Sequence, residues 1–309
     1  MSYAIGIDLG GRNIKFVAIT PQGEIRVRAT APTYDDGSDW AQTIQALIQK
    51  ISKEQGQAAL CVGLSAPGLA APDGRSILWM QGRLEQVQGL DWTSYLGFEE
   101  TVTVLNDAQA ALLGEIWLGA ARGARNAILL TLGTGVGGGI VCDGHLLRGH
   151  IGRAGHLGHI SLNIDGAPDI VNTPGSLEDA IGDCTVHERS HGRFESTYDL
   201  VEAHRAGDGV ATKIWLRSVK FLAAGVVSLV NVVDPEIVII GGGIAVGAGD
   251  VLFEPLQHYV ERWEWRPTGN AVKIVPAQLS EYAGACGAAY EALLRNNLLD
   301  ETAKKDYGG

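Results

Sequence analysis

Residues 130–140 read Leu-Thr-Leu-Gly-Thr-Gly-Val-Gly-Gly-Gly-Ile, and five of these eleven are glycine. They stand between two apolar β-type runs, 126–132 and 139–142, so the spacing predicts a strand, a tight turn and a returning strand. A turn with so little side chain lets backbone N–H groups approach a polyanion closely. The pattern recurs near the N-terminus, where Tyr3 to Asp8 is an apolar strand, Gly10, Gly11, Arg12 and Asn13 are turn material, and Ile14 to Thr20 returns. Two glycine hairpins, one opening each half, read as a duplicated phosphate clamp.

At 309 residues the chain is long enough for two domains, each with its own core. With 46% hydrophobic and 19% charged residues it reads as soluble and globular. The 42 glycines far exceed an average usage of about 7%, lack a collagen period and cluster at predicted turns, which favours an α/β protein with functional loops. A net charge of −11 and no Lys/Arg-rich block argue against a nucleic-acid partner. Cys61, Cys142, Cys184 and Cys286 lie far apart and read as reduced, mostly buried thiols of a cytoplasmic protein. The chain opens directly with a strand, so no secretory signal is expected. The longest apolar region, 221–233, is too short to span a bilayer, and no membrane segment is read.

Periodicity places strands at 3–9, 14–20 and 24–30, an amphipathic helix at about 38–54 and a buried strand at 59–65. The stretch 70–97 reads as loop, the rim of a pocket. A strand at 101–105 hands over to a helix at about 108–118, which puts Asn106 and Asp107 at the junction. There Asp107 sits at a strand's carboxyl end and a helix N-terminus, where the dipole favours its ionised form. Helices are predicted at 176–183, 197–206, 209–232, 249–264 and 283–296, with strands at 236–240 and 271–276. No disordered linker divides the chain. An N-terminal α/β domain at 1–110, joined by the C-terminal helix near 288–299, a second α/β domain at 111–287 and a loose tail at 300–309 are expected.

In this order, Asp8-Leu-Gly-Gly-Arg-Asn-Ile-Lys15, Asn106-Asp107, Gly133-Thr-Gly-Val-Gly-Gly-Gly139, Gly155-His-Leu-Gly-His159, Gly175-Ser-Leu-Glu178 and Asp234-Pro-Glu-Ile-Val-Ile-Ile-Gly-Gly-Gly243 resemble the ROK proteins. These are sugar kinases and related repressors of the actin-like ATPase superfamily. The resemblance spans roughly residues 3–296. It implies a two-domain actin-like ATPase (ribonuclease H-like) fold with an interdomain cleft, ATP with Mg²⁺ as cofactors, and a homodimer. It implies that Asp8, Gly10, Gly11, Arg12, Gly133, Thr134, Gly135, Gly137, Gly241, Gly242 and Gly243 hold the nucleotide. A sugar would meet Gly68, Arg83, Asn106, Asp107, His156, His159 and Glu178, with Asp107 taking the proton from the attacking hydroxyl.

Four departures from the family pattern carry information. Arg12 stands where Thr is usual; it grips phosphate bidentately, fills the space phosphate needs, or closes a salt bridge across the cleft. His156 replaces the usual Glu of the sugar loop. The three zinc-binding cysteines of the family fall on Asp169, Val171 and Ser176, so no structural zinc is expected, and the loop is expected to be held by packing, with His159 keeping its sugar-facing role. Arg83 aligns with a neutral amide of the family, which points to a charged or bulkier sugar derivative.

Phosphorylation of a hexose or hexose derivative is the leading reading. A glycoside hydrolase using Asp107 with Glu178, or His156 as acid, is the alternative, beside a sugar-binding protein without turnover. A DNA-binding repressor is set aside, because no residues precede the first strand to build a helix-turn-helix and the charge is acidic.

Overall fold

The computed structural model describes residues 2–33, 39–80, 82 and 84–299. Arg83 and the expected tail 300–309 therefore lie outside the described residues. The chain forms two compact units: Met1–Arg125 with Asp143–Ala154 and Gln278–Gly309, and Asn126–Cys142 with Gly155–Ala277. The boundary expected near 110 falls inside a helix, and the first unit instead runs to Arg125.

Unit one begins with β1 (Ala4–Leu9), β2 (Asn13–Ile19), β3 (Ile25–Pro32), α1 (Asp39–Gln55), β4 (Val62–Ala66), β5 (Leu69–Ala70), β6 (Ile77–Trp79), α2 (Trp92–Leu96), β7 (Thr103–Asn106) and α3 (Asp107–Leu118). Unit two opens with β8 (Ala127–Leu132) and β9 (Val136–Cys142), and a short strand β10 (His145–Leu146) belongs again to unit one. Unit two continues through α4 (Leu177–Ile181), α5 (Val186–Arg189), α6 (Thr197–Arg205), α7 (Gly209–Val233), β11 (Ile237–Gly241), α8 (Gly243–Ala248), α9 (Asp250–Trp263) and β12 (Lys273–Pro276). The last helix, α10 (Ala283–Arg295), returns to unit one.

The strand order in unit one is β3-β2-β1-β4-β7, with antiparallel hairpins among β1, β2 and β3 and parallel pairing of β1 with β4 and β4 with β7. Unit two repeats the plan in the order β9-β8-β11-β12, an antiparallel hairpin followed by parallel strands. In each unit the hairpin that the glycine patterns predict is the first one. Trp40, Ile44, Ile48 and Ile51 of α1 recur at helical spacing and join the core of unit one with Ile5, Ile7, Phe16 and Leu64.

α7 has 25 residues and is long and apolar enough, by length and composition, to cross a bilayer. Its apolar face, with Trp215, Val219, Leu222 and Val226, is instead the centre of the unit-two core, packed with Leu130, Leu177 and Ile240. A helix buried along one face in this way is read as a core helix.

α10 is fitted to unit one at backbone distance. Its first turns read Ala-Gly-Ala-Cys-Gly-Ala-Ala, and a methyl group on Gly6 of β1 or Gly63 of β4 would fall on the carbonyl oxygens of Ala285 and Ala288. Against α3 the same holds for Gly114 facing Ala283 and for Gly287 facing Ala110. Helix and sheet, and helix and helix, can therefore touch main chain to main chain only because these positions lack Cβ.

The stretch 70–97, read as loop, contains β5, β6 and α2. These elements are too short to show a period. α2 is instead defined by its ends: the Asp91 side chain accepts from the Ser94 N–H, and Gly97 closes the helix at φ 67°.

Candidate active site

The carboxyl ends of parallel strands share one edge of the sheet, and in unit one that edge gathers the predicted residues. Asp8 stands near the end of β1 beside Ser65 of β4, and Asn106 ends β7, next to β4 in turn. The Ser65 hydroxyl donates to Asp8 Oδ1 at 2.7 Å. Burial pushes the Asp8 carboxyl up to about 6, the Ser65 hydrogen bond opposes this, the charge of Asp107 adds to it, and Lys15 lowers it again. α10 leaves room for this carboxylate because Gly284 has no Cβ; one built there would lie 2.8 Å from Asp8 Cγ.

Asn106, rather than Asp107, caps α3. Its Oδ1 accepts from the N–H groups of Ala108 at 3.0 Å and Gln109 at 3.2 Å, and its Nδ2 donates to the Gly68 carbonyl at 3.0 Å. Gly68 has φ 99°, a backbone state that glycine adopts readily, and a Cβ there would crowd the Trp79 carbonyl. Asp107 is thereby freed from capping and opens the helix, its Oδ1 accepting from the Ala108 N–H at 2.8 Å.

The turn after β1 is pinned from behind. Thr33, fully buried, donates its hydroxyl to the Gly10 carbonyl at 2.6 Å, and its N–H donates to the Arg12 carbonyl at 3.0 Å. With those carbonyls engaged, the N–H groups of Gly11 and Arg12 have no acceptor among the described residues. The Arg12 side chain is exposed and makes no ion pair among the described residues, so it does not fill the turn itself.

The turn after β8 has the same design. The Gly133 N–H donates to the Gly135 carbonyl at 2.9 Å, while the N–H groups of Asp183 and Cys184 donate to the carbonyls of Gly133 and Thr134 at 2.9 Å each. The N–H groups of Thr134 and Gly135 are left without acceptors among the described residues. The spacing predicts a turn up to Gly138 with the strand returning at Gly139, but β9 begins at Val136, and Gly137 pairs with Thr131 within the sheet. Gly138 is needed for packing: a Cβ there would collide with the Gly155 carbonyl and the Leu157 side chain, and one on Gly155 would press on the main chain at Gly139.

β11 lies parallel to β8 with Gly241 opposite Thr131, which brings the Gly241, Gly242 and Gly243 run to the same edge as the 133–135 turn. Gly242 has φ 89° and passes close to the Leu132 carbonyl, and α8 starts immediately after it. The run is thus a strand end, a bend and a helix start, not one turn.

Glu178 stands in the first turn of α4 and its Oε2 accepts from the Val136 N–H at 2.9 Å; a side chain at Gly135 would collide with it. His156 precedes the single turn Leu157–His159, which fits against Val136 because Gly158 has no side chain. His159 Nδ1 lies 2.8 Å from Asp169 Oδ2. Asp169 also accepts from the N–H groups of Val171 at 2.9 Å and Thr173 at 2.8 Å through Oδ1, and from the Ser176 hydroxyl. Burial alone would raise its carboxyl, but the donors Thr173, His159, Val171 and Ser176 hold it below the usual carboxylate range.

The loop is therefore held by a polar hub, where packing was expected. The donor set does not fit zinc, since Val171 offers no side-chain ligand and the Asp169 oxygens already accept hydrogen bonds. Sequence reasoning missed Asp169, Ser65 and Thr33. For Asp169 a signal existed: an Asp followed within a few residues by Asn and Thr, between two prolines, is turn chemistry in which a carboxylate caps its own backbone.

Two hairpin-opened sheets, each with an open-donor glycine turn at its carboxyl edge and with a carboxylate at the start of a helix, define the actin-like ATPase fold. The chain belongs to the ROK family, whose model matches residues 4–295. It is 33% identical to a glucokinase of Thermotoga maritima over 92% of this chain and 95% of that protein. The ROK hexokinase of Thermus thermophilus superposes with a TM-score of 0.85 at 29% identity, covering 96% of this chain and 99% of the other. A ROK glucokinase from Streptomyces griseus, solved with glucose and AMPPNP, superposes with a TM-score of 0.77 at 26% identity over 95% and 100% of the two chains.

Proposed function

We propose that this protein transfers the terminal phosphoryl group of ATP to a hydroxyl of a hexose or hexose derivative. The observation that carries this is its near full-length similarity to the Thermotoga maritima glucokinase, 33% over 92% of the chain, joined to the open N–H donors of the two glycine turns. The N–H groups of Gly11 and Arg12 in unit one suit phosphate oxygens, and so, taken by itself, does the pair Thr134 and Gly135 in unit two. Asp8, with its carboxylate at the edge of unit one, suits the accompanying Mg²⁺, which when bound neutralises charge on the phosphates.

Asp107 takes the proton of the attacking hydroxyl. The helix start favours its ionised form, which is the form a base needs. In unit one, Asn106 keeps one amide N–H for a sugar oxygen once Gly68 is served; in unit two, Glu178, His156 and His159 are the residues read as sugar contacts. Consumption of ATP in a coupled assay, tested on glucose and then on a hexose panel, checks the assignment. Absence of turnover on every sugar would remove it. Relatives named as kinases over nearly the whole chain favour transfer over glycoside hydrolysis. Release of an aglycone without ATP is accordingly not expected.

Arg12 is read as a phosphate contact, since its guanidinium is exposed and has no acidic partner among the described residues. Arg12→Ala is expected to raise KM for ATP about tenfold, the loss of one charge-assisted hydrogen bond, with KM for the sugar unchanged. An unaltered KM for ATP would make Arg12 a solvent-facing residue.

Asp8 ties the site to pH. Its carboxyl titrates near 6 in the folded chain against an ordinary value of 3.8, so the folded state binds that proton more tightly. The contribution to stability is therefore full below the unfolded value and is lost as pH rises through about 6. Asp8→Asn removes the buried charge, and at pH 8 it is expected to stabilise the fold by on the order of 2 kcal/mol. The gain should disappear near pH 4 while Mg²⁺-dependent turnover collapses, as thermal melts at the two pH values and the coupled assay would read.

A further inference from the structure

The His159 and Asp169 pair has a directional consequence that the sugar-kinase reading does not contain. The Asp169 carboxylate has no exposed side-chain surface, whereas the His159 ring is 26% exposed. One end of the pair is locked and the other is open. An ionised carboxylate only accepts hydrogen bonds, so at 2.8 Å the proton of the neutral imidazole must sit on Nδ1. The second ring nitrogen, Nε2, then carries a lone pair and makes no hydrogen bond among the described residues. Gly158, the residue before His159, packs against Val136, whose N–H is engaged by Glu178, so the turn that carries this acceptor is fitted to the strand that Glu178 holds.

We propose that Asp169 is a positioning residue for the substrate: through Nδ1–H it fixes the tautomer of His159, so that Nε2 accepts a hydrogen bond from a sugar hydroxyl. The same carboxylate accepts from the main chain at Val171 and Thr173, so Asp169, the group that orients the ring, is itself held in place. The arrangement discriminates by hydrogen-bond sense. A hydroxyl donor is accepted at that position, while a ligand group that can only accept finds no proton there. The substrate half of the proposal rests on the kinase reading of the site; the tautomer half does not.

Asp169→Asn separates the two. Oδ1 of Asp169 must go on accepting from Val171 and Thr173, so the asparagine oxygen stays there and its amide NH₂ turns to His159. Nδ1 then becomes the acceptor and the proton moves to Nε2. Long-range ¹H–¹⁵N correlation spectra at pH 8, assigned with His159→Asn, should find Nδ1–H in the wild type and Nε2–H in Asp169→Asn. In the same variant KM for the hexose should rise about tenfold, with kcat and KM for ATP little changed.

Nε2–H in the wild type, or an unmoved proton in Asp169→Asn, overturns the proposal. So does a moved proton with an unchanged sugar KM. Should Asp169→Asn fail to fold, the wild-type spectrum still decides the tautomer. His159→Asn, which keeps a donor toward Asp169 but has no atom in place of Nε2, must then give the tenfold rise in sugar KM. A wild type that phosphorylates no hexose defeats the kinase reading, and the tautomer spectra stand apart from that outcome.

Discussion

Asp107→Asn lowers kcat by about 10²- to 10⁴-fold, the usual contribution of a placed general base, and leaves KM for sugar and ATP within a few-fold. The substitution is well suited to the purpose. Asp107 is not the cap of α3, a task held by Asn106, and its Oδ1 accepts from the Ala108 N–H in a way that an amide oxygen reproduces. The local backbone is therefore expected to survive, and a far-ultraviolet spectrum with a thermal melt checks that it has. What is lost is the capacity to receive a proton at the start of α3. Turnover within tenfold of wild type would transfer the role of base elsewhere.

Gly63→Ala is the second large effect, and it concerns stability. A methyl group at this β4 position has nowhere to go but into the Ala288 carbonyl of α10. Because Gly63 lies in a strand, no gain in helix propensity offsets the clash, as it would at Gly287. Overpacking of this kind costs about 1–3 kcal/mol, and contact with main chain, which cannot rotate aside, sets the expectation at about 3 kcal/mol. Urea unfolding followed by tryptophan fluorescence should show the midpoint fall with the slope unchanged. A loss of less than about 0.5 kcal/mol, the size of an ordinary surface change, would mean that α10 does not meet the sheet so closely.

The hairpins, the long helices and the position of Asp107 were legible because each has a local signature: alternation, a 3.6-residue period, or a strand end followed by a polar pair. Other features lay beyond that reach. Gly137 and Gly138 look like turn residues in sequence, yet both are strand residues, and the missing side chain of Gly138 admits Gly155 and Leu157, some twenty positions later. Gly6, Gly63 and Gly114 meet a helix half the chain or more away in sequence, a partner no window of sequence can hold. The region 70–97 reads as a rim because β5, β6 and α2 are too short to show a period. The role of Asp169 was hidden for another reason: resemblance directed attention to the cysteines absent there, while the carboxylate present supplies a different bond.

Synthesis on the ribosome gives the late position of α10 a temporal meaning. Unit two is encoded without interruption by its partner except at 143–154, and it closes at Ala277. Unit one, begun first, cannot bury the small-residue faces of β1, β4 and α3 until Ala283–Arg295 has emerged. The half translated earliest must therefore wait, with apolar strands uncovered, and matures after the half translated later. A growing chain stopped before residue 283 should depend on chaperones, and one released at 296 or beyond should not.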